Sequence, residues 1–235
     1  VYEKGAEVIR MLKLLIGDQA FKAGMDLYFD RHDGEAATVE QFVACFAEVS
    51  GMDLGPFSRW YDQAGTPRVT AERHQDAAGG LRLILRQATP PTPGQPEKRP
   101  QVIPIACGLV NPDGTATPTR VLVLDRAEAE FTFPEAASGA TPSLLRGFSA
   151  PVNLEVELSD AELLTLARLD SDPFNRWQSL QSLAMKLLKR SAAGVREGLP
   201  ALTHDGLADA VAALLRDGLA DPAFTALAIT LPGEQ

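Results

Sequence analysis

Cysteine and histidine are scarce here, two of one and three of the other in 235 residues. Cys45 and Cys107 lie far apart in sequence, and they make neither a disulfide framework nor a zinc-ligand spacing. They read as unbridged, buried or partly buried thiols that behave as small hydrophobes. The histidines occur as His32-Asp33, His74-Gln75 and His204-Asp205. None belongs to an H-E-x-x-H motif or to a pair at metal-ligand spacing, and each reads as a surface or structural residue. There is no Walker A or G-x-G-x-x-G loop. Gly147-Phe-Ser-Ala150 starts like a G-x-S-x-G elbow and breaks after its third residue.

Basic charge is also in deficit: 22 Lys and Arg stand against 31 Asp and Glu, a net charge of −9. Nucleic acid and anionic membrane surfaces call for the opposite sign, so neither is an expected partner. No apolar stretch approaches the roughly 20 residues of a membrane-spanning helix. No Asn-x-Ser/Thr sequon and no signal peptide are seen, and the expected compartment is the cytoplasm. The chain opens at Val1 within a helical pattern, so the reading expects a segment of a longer protein.

What is present is ordinary globular material, 45% hydrophobic and 23% charged, in enough length for more than one domain. The periodicity changes twice. Up to about residue 66 it is helical. Val8, Ile9, Met11, Leu12, Leu15 and Ile16 share helical spacing and stop at Gly17. Asp18 is placed to cap a second helix carrying Phe21, Met25 and Leu27. Thr38-Val-Glu-Gln41 is a capping box leading into Phe42, Val43, Phe46 and Val49, with a stop at Gly51. A short helix around Phe57, Trp60 and Tyr61 ends at Gly65-Thr66-Pro67.

Residues 67–158 have a period of two. Leu81–Arg86, Val102–Ile105, Arg120–Leu124, Glu130–Phe133 and Leu154–Leu158 read as strands. Turn signals separate them at Ala78-Gly79-Gly80, Asn111–Gly114 and Ser138-Gly139. About seven short strands predict a β-sandwich. Residues 90–104 hold six prolines, which remove ladder donors and mark a loop or edge excursion. From residue 159 the helical pattern returns. Ser159–Glu162 is a second capping box, and Asp172-Pro173 and Asp221-Pro222 each set a cap before an N1 proline. Trp177, Leu180, Ala184, Leu187 and Leu188 form one apolar face, and Leu207, Val211, Leu214 and Leu215 another. Helix pairs with one apolar face each need neighbours, as in a solenoid. The expected fold is thus multidomain α + β: helices over 1–66, a sandwich over 67–158 and solenoid-like helices over 159–235.

Residues 1–11, Val-Tyr-Glu-Lys-Gly-Ala-Glu-Val-Ile-Arg-Met, resemble the segment that follows the zinc site in the bacterial alanyl-type zinc aminopeptidases of the aminopeptidase N family. Tyr28-Phe-Asp-Arg-His-Asp-Gly34 is similar to that family's Y-F-x-R-H-D-G run. Trp60, Gln63, Gly65 and Pro67 match W-x-x-Q-x-G-x-P, which closes the catalytic domain. Gln87-x-Thr89-Pro-x-Thr-Pro93 and Phe148-Ser-Ala-Pro-Val152 resemble stretches of its β-sandwich. Asp172-x-Phe174-Asn-Arg-Trp177 resembles the D-x-F-x-R-W near the start of its helical domain. The matches run in family order along nearly the whole chain.

The resemblance implies the end of a thermolysin-like catalytic domain, a β-sandwich and the start of a C-terminal helical domain. It also implies zinc-assisted removal of N-terminal amino acids from peptides. In the family, two His of H-E-x-x-H and a later Glu bind zinc, the motif Glu serves as general base, and G-x-M-E-N holds the substrate amine. None of these is in this sequence, so the chain alone is expected to bind no zinc and hydrolyse no peptide. One catalytic residue carries over. Tyr2 matches the tyrosine whose hydroxyl hydrogen-bonds the oxyanion of the tetrahedral intermediate, and a phenol stays protonated through the physiological range. Gly5, inside a helix at a cost of about 1 kcal/mol relative to Ala, is expected to admit a bulky neighbour. A competing reading is a non-catalytic interaction module whose contact surface is the proline-rich loop.

Overall fold

The computed structural model describes residues 2–75, 80–201, 204–217 and 221–231. The turn expected at Ala78-Gly79 lies outside them. Four helices come first: α1 (Tyr2–Ile16), α2 (Asp18–His32), α3 (Val39–Ser50) and the single turn α4 (Arg59–Asp62). α1 buries Val8, Met11 and Leu12, the i, i+3, i+4 stripe that the spacing predicts. Gly17 ends it with φ 83° and is itself the N-cap of α2. Asp18 is therefore not the expected cap. It is the first residue of α2, where a carboxylate meets the positive end of the helix dipole, 3.3 Å from Lys13.

α2 packs on α3 through Gly24. A Cβ there would sit 2.4 Å from the Phe46 ring, and Phe46 is fully buried between Phe21 and Phe42, at ring distances of 5.2 and 4.7 Å. The Thr38–Gln41 capping box forms in both directions, and Gly51 closes α3 in the left-handed region.

The seven strands are β1 (Arg68–Gln75), β2 (Leu81–Ala88), β3 (Ile103–Val110), β4 (Arg120–Leu124), β5 (Glu128–Phe133), β6 (Thr141–Leu144) and β7 (Asn153–Val156). They form a β-sandwich of two sheets, ordered β5-β2-β1-β7 and β4-β3-β6. β1 and β2 pair antiparallel from Arg68↔Ala88 to Gln75↔Leu81, while β7 runs parallel to β1. β3 is buried at every position, which explains its continuous apolar run. β7 stops at Val156, two residues short of the expected strand end.

Among the described residues four further helices follow: α5 (Asp160–Leu169), α6 (Pro173–Arg196), α7 (Asp205–Asp217) and α8 (Pro222–Ile229). Ser159 and Glu162 make the capping box of α5. Asp172 and Asp221 cap α6 and α8 ahead of their N1 prolines. Ala167, Leu180, Ala210, Leu214 and Ala228 form the buried core, with Trp177, Leu207 and Phe224 packed against it. Leu188 and Leu215 depart from the expected faces, at 47% and 52% exposed.

The contacts gather into two compact units: Val1–Ala106, Arg120–Pro134 and Phe148–Val156 in one, Cys107–Thr119, Glu135–Gly147 and Glu157–Gln235 in the other. The division crosses β3. The first unit holds the N-terminal helices and the larger sheet, the second β6 and the C-terminal helices.

Candidate functional site

Tyr2 is the first residue of α1 and is 94% exposed. Two residues on, in the same turn, the Lys4 ammonium donates to the Gly65 carbonyl oxygen at 3.0 Å and lies 5.8 Å from the centre of the Trp60 ring. Gly5 has nothing within 4 Å of the position a Cβ would take. The described residues supply no bulky neighbour at that position.

The residues around Gly65 form a clamp. Trp60 is buried, and its indole N–H donates to the Val102 carbonyl at 2.8 Å. The Arg59 guanidinium donates to the carbonyl of Pro100. Gln63 bonds Arg99 twice, donating to its carbonyl at 3.0 Å and accepting from its N–H at 2.8 Å. Gln95 does the same between Ala64 N–H and the Asp62 carbonyl, at 2.8 and 2.9 Å. Lys98 donates to the Ala64 carbonyl at 2.9 Å. Gly65 itself has φ 101°, and a Cβ on it would stand 3.0 Å from the Thr89 methyl. The proline-rich segment is thus a loop, as expected, and its polar groups bind the end of the helical segment. In the competing reading that loop is the contact surface; its Arg99, Pro100 and Val102 carbonyls are already taken by the helical segment.

Gln87 anchors the same loop from within the sheet. Its amide nitrogen donates to the carbonyls of Gln101, Leu124 and Arg126, at 2.7, 3.1 and 3.1 Å. Its amide oxygen accepts from Gln101 N–H at 2.8 Å. A cavity of about 280 Å³ opens beside it, lined by Gln87, Thr89, Pro96, Lys98, Arg99 and Pro100 among others. It carries no carboxylate, imidazole or thiol.

In the second unit, the Arg146 guanidinium bonds Asp170 at 2.9 Å, Ser143 at 2.8 Å and Thr119 at 3.1 Å. Asp172 accepts from Asn175 N–H within α6 and from Gly147 N–H, at 2.9 and 2.8 Å. Asn175 reaches Ser143 and the Leu144 carbonyl, at 2.8 and 3.0 Å. Arg176 donates to the Ala167 carbonyl at 3.2 Å, and Phe174 and Trp177 stack with centroids 5.2 Å apart. These are connecting contacts between elements, with no group poised for chemistry.

The histidines have structural partners. His32 ends α2 with Nδ1 3.4 Å from Glu35. His74 lies 3.9 Å from Glu72, and His204 Nδ1 accepts from Leu207 N–H at 3.2 Å. Cys45 and Cys107 are buried and unbridged. Among the described residues, no three His, Cys, Asp or Glu side chains come together as a metal site. No described helix is long and apolar enough to cross a membrane.

Comparison with known proteins places these features. Aminopeptidase N of Caulobacter vibrioides is 50% identical across the whole of this chain, which covers 27% of that protein. The chain belongs to the aminopeptidase N family. Aminopeptidase N of Escherichia coli is 42% identical over 99% of the chain, covering 28% of the relative. The chain therefore spans about a quarter of the length of these relatives.

Three family models match in succession. They are the peptidase family M1 domain over residues 1–61, an Ig-like domain of unknown function, DUF3458, over 65–157, and its C-terminal partner of ARM repeats, DUF3458_C, over 160–235. A crystal structure of Legionella pneumophila aminopeptidase A in complex with aspartic acid superposes with a TM-score of 0.85 at 29% identity. That likeness covers 98% of this chain and 26% of the other.

Within the aminopeptidase N family, W-x-x-Q-x-G-x-P is here the clamp on the proline-rich loop. D-x-F-x-R-W supplies the α6 cap, a backbone tie and a core aromatic. Sequence reasoning did not pick out Lys4, Arg146, Asp170 or Asn175. Lys4 and Asn175 stood inside quoted runs, but no local pattern tells that their partners lie 61 and 32 residues away.

Proposed function

We propose that this chain is part of a zinc-dependent aminopeptidase that removes N-terminal amino acids from peptides, and that it contributes the oxyanion donor Tyr2. The observation that carries the reading is the 50% identity to an aminopeptidase N across the entire chain. The placement of Tyr2 supports its role. Its side chain is exposed among the described residues, so its hydroxyl can meet a substrate held by other parts of the protein.

The chemistry asked of Tyr2 is a hydrogen bond. As the scissile carbonyl becomes tetrahedral, its oxygen gains negative charge, and a fixed O–H donor stabilises that charge more than it stabilises the ground state. No proton leaves the phenol. The described residues of this chain do not form a zinc site, and the sequence holds no H-E-x-x-H. The metal's ligands belong to sequence outside it, and the chain by itself hydrolyses no peptide.

One set of assays tests both statements, with the full-length enzyme, its Tyr2→Phe variant and the 235-residue chain alone, all on a chromogenic aminoacyl anilide. The variant is expected to lose about 10²–10³ in kcat with little change in KM, and the chain alone to show no turnover. A wild-type kcat in Tyr2→Phe removes the residue from the mechanism. Turnover by the chain alone, with one zinc bound, overturns the division of labour.

A further inference from the structure

We infer that Lys4 is a positioning residue for Tyr2, tying the first turn of α1 to the Gly65 carbonyl and the Trp60 ring so that the phenol is held in one direction. The inference rests on the reading of Tyr2 as the oxyanion donor.

A donor stabilises an oxyanion only where its hydroxyl is held at the reacting oxygen. The first buried apolar residue of α1 is Val8, six positions from Tyr2 and about 9 Å further along the axis at 1.5 Å per residue. Between them, Lys4 makes a long-range tie, a charged hydrogen bond of 3.0 Å together with a cation–π contact. Two residues apart on a helix, Lys4 and Tyr2 point to nearly opposite sides. Lys4 therefore holds the inner side of the turn while Tyr2 is presented on the outer side.

The anchor is itself rigid. Trp60 is buried and donates to Val102. Gln63 and Ala64 on one side of Gly65 are bonded to the proline-rich loop. The Gly65 carbonyl is consequently fixed by the sandwich, and Lys4 passes that fixity to the first turn of α1. An apolar side chain of similar length would keep the packing on Trp60 and lose both the hydrogen bond and the ring attraction.

The test uses the full-length enzyme and the variants Tyr2→Phe, Lys4→Met, Lys4→Arg and the double variant Tyr2→Phe/Lys4→Met, with zinc content and circular dichroism as checks of folding. Lys4→Met is expected to lower kcat by about tenfold to a hundredfold, the order of effect of a 1 Å misplacement, with KM within about twofold. Lys4→Arg, which keeps the cation, recovers most of the rate. In the Tyr2→Phe background, Lys4→Met changes kcat little, because there is no hydroxyl left to position. A wild-type kcat in Lys4→Met overturns the inference. So does a full additional loss in the double variant, or failure of both Lys4 variants to fold, since either makes Lys4 a purely structural residue. A wild-type kcat in Tyr2→Phe is a different result: it removes the Tyr2 reading itself.

Discussion

At the scale of single residues, Arg146 carries its charge almost out of water. Its side chain is 6% exposed, and that of Asp170 opposite is fully buried. Most of the pair's polar atoms have partners, although Asp170 Oδ2 is buried without one among the described residues. Arg146 has three side-chain partners, and Asp170 Oδ1 also accepts from Asp172 N–H at 3.0 Å. Gly108 makes room for the guanidinium, since a Cβ there would fall 2.2 Å from its nearest nitrogen. The backbone bends sharply around it, with Leu145 and Phe148 at φ 57° and 54°, a left-handed geometry that costs non-glycine residues free energy.

Removing one partner of such a pair leaves a buried charge uncompensated. Arg146→Met is expected to destabilise the chain by about 3–5 kcal/mol in urea unfolding. Arg68→Met breaks the Arg68–Glu155 pair, whose side chains are 57% and 54% exposed, and is expected to cost less than about 1 kcal/mol. Equal losses would mean that burial does not set the strength of these pairs here. None of this was legible in the sequence. Arg146 sits in an undistinguished Leu-Arg-Gly-Phe run, and its acid is 24 residues away, where only the folded chain brings it near.

Elements were read well where their determinants are local. The capping boxes at Thr38 and Ser159 and the stop at Gly51 formed as predicted, because each depends on residues within one turn. Asp18 was misread because Gly17 already filled the cap position. β1 and β6 gave no period-two signal strong enough to name. β6 is four residues long and buried throughout, so it has no polar face to alternate with.

The larger sheet also carries charge across its strands. Arg86 on β2 binds Glu72 on β1 and Glu128 on β5, and Arg82 meets Glu130 at 3.5 Å. The hydrogen bond from Arg86, with its charge, holds the Glu72 carboxyl below the usual glutamate range. A depressed folded-state pKa contributes stability that is present above the unfolded value and lost as pH falls through the folded one. The difference in Tm between wild type and Glu72→Gln is therefore expected to be steady near neutrality and to shrink as pH drops below about 4.5. Added salt should reduce it at every pH. A gap that stays constant into acid would show that the Glu72 charge has no part in it.

At the scale of the molecule, composition divides the chain into three segments, whereas its contacts gather into two units. Periodicity reports the type of element, helix or strand, and is blind to which elements share a core. The stretch Glu135–Gly147 reads as part of a sandwich, yet it groups with the C-terminal helices. The reason is visible in its bonds. Ser143 and Leu144 are held by Asn175, Arg146 by Asp170, and Gly147 by Asp172. All three partners lie beyond residue 158, where the sandwich pattern ends.

A chain cut after Leu158 keeps every strand and loses those partners. Arg146 would then have no carboxylate, and the strained turn around it nothing to hold it in shape. Trypsin is the natural probe, since it cleaves after arginine and needs local opening to reach a buried one. Cleavage after Arg146 is expected to be several times faster in the 1–158 chain than in the 235-residue chain, while sites in the first unit, such as Arg31, are cut at similar rates in both. Equal protection of Arg146 in the two chains would mean that the sandwich stands without its helices, and that the three-segment division describes the cooperative units better than the contacts do.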